Sequence, residues 1–164
     1  MKPGITFFPS LFIFALSSTI FAMPTQIYPP GEKKVIVDPN EHAWGAYNAS
    51  GRLIRSGLAS AGADWCNDLG RECHTDVGKF RVGMRGGPGC KSPSFPLPRG
   101  GAPMPYCMYF NKYQALHGSY ELGYANLSHG CVRLRVKDAE WLRNKFVQRG
   151  TLVEILPYAY SFPY

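Results

Sequence analysis

A mainly β fold closed by one short C-terminal helix is what this sequence predicts, and three observations carry the prediction. Eighteen Gly and fourteen Pro in 164 residues leave little room for a helix bundle. Short runs with alternating apolar residues recur between turn-forming residues. One late stretch, starting at Asp138, spaces Ala139, Leu142 and Phe146 along a single helical face, with Gly150 as its stop. At 45% hydrophobic residues the chain can bury one ordinary core, so one domain is expected.

Residues 1–22 place Lys2 before an apolar run from Ile5 to Phe21 and end on the small residue Ala22, the pattern of a secretory signal peptide cleaved there. Pro9, Ser10, Ser17 and Ser18 interrupt the run, which makes it a poor membrane span. Export to a periplasm or cell envelope is the expectation. Residues 23–32 then form a Pro-containing lead-in with nothing to hold it, and 33–157 the folded domain. Lys33 to Asp38 reads as a strand, Pro39-Asn40 as a turn, Ala43 to Tyr47 as a second strand, and Asn48-Ala-Ser-Gly51 as a hairpin turn into a third, Arg52 to Ser60. Residues 61–75 are a loop, and Gly78 to Met84 resumes strand patterning. Five Gly and six Pro between Gly86 and Pro105 exclude helix and central strand, leaving a long loop that is either a lid or disordered. Tyr106 to Phe110, Tyr113 to His117, Val132 to Val136 and Thr151 to Leu156 complete the strands, and 158–164 is an aromatic tail without evident role.

The formal charge is +7, falling to +6 (17 basic minus 11 acidic) without residues 1–22. That suits an anionic partner. Nucleic acid is not expected, because Lys and Arg are scattered and no binding motif accompanies them. Five cysteines in an exported chain imply two disulfides and one remaining thiol. With Cys131 as the odd one, three pairings are open, and the expected pairing closes local loops: Cys66 with Cys73, and Cys90 with Cys107. No metal is expected, for there is no Cys-x-x-Cys pair and the four histidines lack ligand spacing.

The segment 117–134 holds the chemistry. A thiol attacks carbonyl carbon as thiolate and so needs a base. His117 lies 14 positions before Cys131 (131 minus 117), with a loop between them that can bring two strand ends side by side. Gly130 permits a sharp turn that aims main-chain N–H groups of Gly130 and Cys131 at one point, as a tetrahedral oxyanion requires. Arg133, two residues on, is placed to hold a substrate carboxylate. Ser128 either hydrogen-bonds substrate or caps the turn. His129 either orients the site or is structural.

His117-Gly118, Leu122-Gly123 and the unbroken Ser128-His129-Gly130-Cys131-Val132-Arg133-Leu134 block resemble the signature of the L,D-transpeptidase catalytic domain (YkuD-like). Thr75-Asp-Val-Gly78-Lys-Phe80 is similar to that family's Thr-Pro-Thr-Gly-x-Phe, with Asp76 in place of Pro, and Pro103-Met-Pro-Tyr106 with Met108 resembles its pocket-lining segment. The resemblance implies a β-sandwich of mixed sheets with one small helix. It implies Cys131 as acylated nucleophile, His117 as base, the Gly118 carbonyl holding the imidazole, and Tyr106 on the substrate pocket. The implied donor is a peptidoglycan tetrapeptide stem that loses its terminal D-amino acid, with no cofactor; the acceptor is a second stem or a protein to be attached to the wall. Water as acceptor would make an L,D-carboxypeptidase or endopeptidase of the same acyl-enzyme, and an inert thiol would make a non-catalytic wall-binding protein. A free thiol among disulfides in an oxidising space further implies dependence on an exported thiol reductase.

Overall fold

The computed structural model describes residues 23–159. The export segment and residues 160–164 lie outside them. Eight strands form one mixed sheet: β1 (Lys34–Asp38), β2 (Ala43–Tyr47), β3 (Leu53–Ser60), β4 (Gly78–Arg81), β5 (Met108–Asn111), β6 (Gln114–Ser119), β7 (Val132–Arg135) and β8 (Leu152–Ile155), in spatial order β4-β8-β1-β2-β3-β7-β6-β5. The pairs β1–β8 and β6–β7 are parallel, and the others antiparallel.

The opening meander forms because its turn is chemically specified. Gly51 sits at φ +81°, and the Asn48 side-chain oxygen accepts from the amides of Ser50 and Arg52 at 3.1 and 3.0 Å. Strand β3 then serves both halves of the sheet. Leu53 to Leu58 pair with β2, whereas Ala59 and Ser60 pair with Leu134 and Arg133 of β7. The sandwich is thus two halves of one folded sheet, and both face a single core. Val35, Val37, Trp44 and Val153 come from one half, and Met108, Leu116, Val132 and Leu134 from the other. Each is at most 2% exposed, and burying side chains of this size contributes roughly 1.5 to 3 kcal/mol apiece.

The helix differs from the sequence expectation in its start. It begins at Val136, directly off β7, runs to Trp141 as α1, and continues as one wider turn over Leu142–Phe146 in which the Val147 amide donates to the Leu142 carbonyl at 2.7 Å. Asp138 does not cap it. Its carboxylate instead accepts from Arg55 Nη2 at 2.6 Å across the core edge, a partner 83 residues away that local pattern could not reveal. Ala139, Leu142 and Phe146 do form the buried face.

The lead-in is held, contrary to the sequence expectation. Leu53 donates to the Thr25 carbonyl, Ile27 to that of Gly51, and the Tyr47 hydroxyl to that of Pro24, all at 2.9 Å, while Met23 packs with Ile36, Ala43 and Tyr47. The C-terminal tail is likewise engaged at its start. The Tyr158 ring stacks on His74 at 3.8 Å between centroids, and its hydroxyl accepts from the Thr75 amide and donates to the Gly62 carbonyl.

Both disulfides close local loops, Cys66–Cys73 and Cys90–Cys107, and Cys131 is the free thiol. The loop 86–105 is ordered by its own main chain: Ser92 donates to Ala102, Met104 to Cys90 and Tyr106 to Gly87, at 2.8 to 2.9 Å. No helix among the described residues is long and apolar enough to cross a membrane.

Candidate active site

Strands β6 and β7 run side by side in parallel register, Leu116 against Val132 and His117 against Arg133. Side chains alternate between faces, so Leu116, Val132 and Leu134 enter the core while His117, Arg133 and Cys131, one residue before β7, share the opposite face. Histidine and thiol are therefore diagonal neighbours on adjacent strands. A cavity of about 310 Å³ opens over them, bounded by Pro93, Phe95 and Met104 of the 86–105 loop, by Tyr120 and Glu121, and by Ser128 to Cys131.

The imidazole is fixed in one tautomer. His117 Nδ1 lies 2.8 Å from the Gly118 carbonyl oxygen, which can only accept, so Nδ1 carries the hydrogen and the neutral ring keeps a lone pair on Nε2. Gly118 must be glycine here: a Cβ would stand 3.0 Å from Val136 Cα and 3.2 Å from the Pro105 carbonyl oxygen. Burial pushes the His117 pKa down to about 4, with the Arg133 charge adding to the fall and the Gly118 contact opposing it. The Cys131 thiol is pushed up by burial, against lowering contributions from the Ala115 main chain and Arg133. The resting pair is thus neutral thiol and neutral imidazole. The S–H group donates to the Tyr113 carbonyl at 3.6 Å.

A stability consequence follows for His117. The unfolded chain takes up the proton near pH 6.5 and the folded one only near 4, so the folded state loses ground as pH falls through that window. The loss amounts to about 3 kcal/mol for the 2.5-unit difference. Chemical denaturation at pH 7 and pH 4 is expected to show it, and His117→Gln is expected to remove that part of the pH dependence. An unchanged profile in the variant would mean that the ring titrates normally.

The Ser128-to-Cys131 turn is built by Ser128, 2% exposed. Its hydroxyl accepts from the Gly130 amide at 3.1 Å and donates to the Cys131 carbonyl. Although Ser128 lines the cavity, its hydroxyl is committed to the turn, which corrects the substrate-binding expectation in favour of the capping one. The Gly130 amide is committed with it, so of the two main-chain donors named from sequence, the Cys131 N–H is the one to consider for an oxyanion. Gly130 at φ +117° makes the sharp bend that sequence required.

His129 is a cross-tie. Its Nε2–H donates to both carboxylate oxygens of Asp68 at 2.9 Å, and its ring stacks on Phe95 at 4.5 Å. The hydrogen bond from His129 holds the Asp68 carboxyl below its usual range. One imidazole thereby joins the Cys66–Cys73 loop to the Cys90–Cys107 loop. Cys66, Asp68 and His129 lie close enough to converge on an ion, but Cys66 is bonded to Cys73, and two ligands are too few for zinc.

Arg133 faces the cavity, with only exposed Glu121 nearby at 3.7 Å. Tyr106 is not on the cavity. Its backbone turns at φ +59° and its hydroxyl donates to Glu140 Oε1 at 3.0 Å, so Pro103 and Met104 of the same segment line the wall instead. Sequence reasoning missed Asp68, Phe95, Gln114 and Tyr158, whose roles arise only from long-range contacts.

Fold and site define a class: a mixed-sheet domain carrying a free thiol and a tautomer-locked histidine on adjacent parallel strands beneath one cavity. The chain belongs to the L,D-transpeptidase catalytic domain (YkuD) family, whose model matches residues 32–155. Among solved structures it is similar to an L,D-transpeptidase (residues 123–326) from Xylanimonas cellulosilytica, at 27% identity and TM-score 0.68, covering 79% of this chain and 63% of that one. An L,D-transpeptidase from Stackebrandtia nassauensis shares the fold at 20% identity and TM-score 0.63, covering 80% of this chain and 58% of that one. The C442S mutant of the Enterococcus faecium L,D-transpeptidase does so at 17% identity and TM-score 0.63, covering 76% and 50%. This chain therefore spans under two thirds of the length of those chains. No curated protein sequence matches it.

Proposed function

We propose that the protein is an exported cysteine L,D-transpeptidase that acts on peptidoglycan tetrapeptide stems through a thioester at Cys131. The observation that carries this reading is the shared face of β6 and β7, where His117 presents Nε2 and Cys131 its thiol to one cavity. As sulfur attacks the donor carbonyl, a C–S bond forms and the thiol proton passes to Nε2. The Cys131 N–H faces the developing oxyanion, an interaction whose loss typically costs about 2.7 to 4 kcal/mol. Collapse of the tetrahedral intermediate breaks the C–N bond, and the leaving terminal D-amino acid takes its proton from His117. An acceptor amine, on a second stem or on a protein joined to the wall, then resolves the thioester. Arg133 is placed to pair with a substrate carboxylate.

Export is supported by the apolar run in residues 1–22 and by two disulfides, which persist in oxidising compartments. The same compartment makes an exported thiol reductase a required partner for keeping Cys131 reduced. Incubation with tetrapeptide-bearing muropeptides, followed by intact-mass measurement, is expected to show the tripeptidyl adduct on Cys131 and cross-linked product. With the thiol verified as reduced, absence of both adduct and product would overturn the reading. Trimmed monomers alone would assign water as the acceptor.

A further inference from the structure

Transfer needs two substrates, and the cavity over Cys131 accounts for the donor. Beside it lies a second groove of about 520 Å³, lined by Arg81, Met84, Lys91, Tyr109, Asn111 and Lys112 among others. Pro93 and Tyr113 belong to the walls of both. The Tyr113 carbonyl is also the group that receives the Cys131 S–H, at 3.6 Å. The groove thus opens at the segment against which the sulfur rests.

Its charge is one-sided. No acidic side chain lines it. Arg81 is neutralised by Glu32 in a two-pronged pair at 2.7 and 2.8 Å, but Lys91 and Lys112 are exposed and make no ion pair among the described residues. Asp76 reaches the groove through Asn111, whose side-chain amide donates to it at 2.7 Å and to Gln114 Oε1 at 3.2 Å. These bonds pin the β5–β6 hairpin, and Lys112 sits on it at φ +42°. Tyr113 and Met84, 75% and 63% exposed, add apolar area on the same walls.

We infer that this groove is the acceptor site, holding a second, carboxylate-bearing stem peptide whose amine resolves the Cys131 thioester. The inference rests on the acyl-enzyme reading above. In the step it serves, the acceptor nitrogen attacks the thioester carbonyl, the C–N bond forms as C–S breaks, and the amine proton passes by way of His117 to sulfur, which restores the thiol. Two unpaired ammonium groups repel a cationic acceptor and attract one whose carboxylates outnumber its amines. Their field also disfavours the protonated form of the acceptor amine, raising the fraction present as free nucleophile.

The two half-reactions separate this inference from the one beneath it. In the full chain, Lys91→Glu combined with Lys112→Glu is expected to leave Cys131 acylation by a tetrapeptide donor unchanged. The same variant is expected to raise the KM for a carboxylate-bearing acceptor stem about ten-fold, as for loss of two exposed charge contacts. Preference for that acceptor over the same peptide with its carboxylates amidated is expected to disappear, and the Lys→Arg pair to keep it. Normal acylation with unaltered acceptor KM and preference would overturn the inference. Should the unsubstituted protein fail to acylate, the proposed function falls, and the groove is then judged by calorimetric binding of the acceptor stem to Cys131→Ala protein. Equal affinity with and without the two lysines would overturn it there too.

Discussion

Cys131→Ala is expected to give no covalent species at all, and His117→Gln to slow acylation by about 10² to 10⁴, the usual contribution of a positioned base. Both magnitudes follow from the resting electrostatics. Burial keeps the thiol protonated and the imidazole neutral, so little thiolate exists until a base receives its proton. The acidic limb of acylation is accordingly expected near pH 4, below the ordinary histidine range, because the ring stays unprotonated down to there. Single-turnover mass spectrometry across pH 3.5 to 8 reads both effects, the range being set by that pKa of about 4. An acidic limb near 6.5, or a glutamine variant acylating at the unsubstituted rate, would remove His117 as the base.

Gly62→Ala is expected to be the most damaging single-carbon addition outside the cavity. Its new Cβ would stand 2.0 Å from the Cys73 carbonyl oxygen, 2.6 Å from the Thr75 nitrogen and 2.8 Å from the His74 carbonyl carbon. All three are main-chain atoms and cannot swing aside as a flexible side chain can. Gly62 bridges Ser128, donates to Thr75 Oγ1 at 3.0 Å and accepts from the Tyr158 hydroxyl. Relief of the clash therefore pushes the Cys66–Cys73 loop away from the turn that bears the thiol. Overpacking ordinarily costs 1 to 3 kcal/mol, and the backbone contact places this variant at about 3 or above. Urea unfolding and the acylation rate are both expected to fall. A variant as stable as the parent would show that the loop 61–75 yields freely.

Much of the scaffold was legible before any coordinates. The meander could be read from Asn48 to Gly51 and the alternation around it, because turn chemistry and side-chain period are local properties. The disulfides followed from the local spacing of Cys66 with Cys73 and Cys90 with Cys107. Misreadings fell where a distant partner decides. Asp138 looked like a cap until Arg55 claimed it, Met23 to Glu32 looked untethered until the β2–β3 hairpin gave it carbonyls and amides, and Tyr106 looked like a pocket wall until Glu140 turned its hydroxyl away.

The linear order of residues was enough to name the thiol, its base, the glycine that bends the turn and the glycine whose carbonyl orients the imidazole. Those identities are written into one short segment and its chemistry. Which main-chain donor stays available, what Ser128 and His129 bind, and how a groove of lysines meets the sulfur were decided only by tertiary structure. The reason is that β6 and β7, the 61–75 loop and the 86–105 loop converge there from positions far apart in the chain. Their contacts depend on register and packing, which no local pattern encodes.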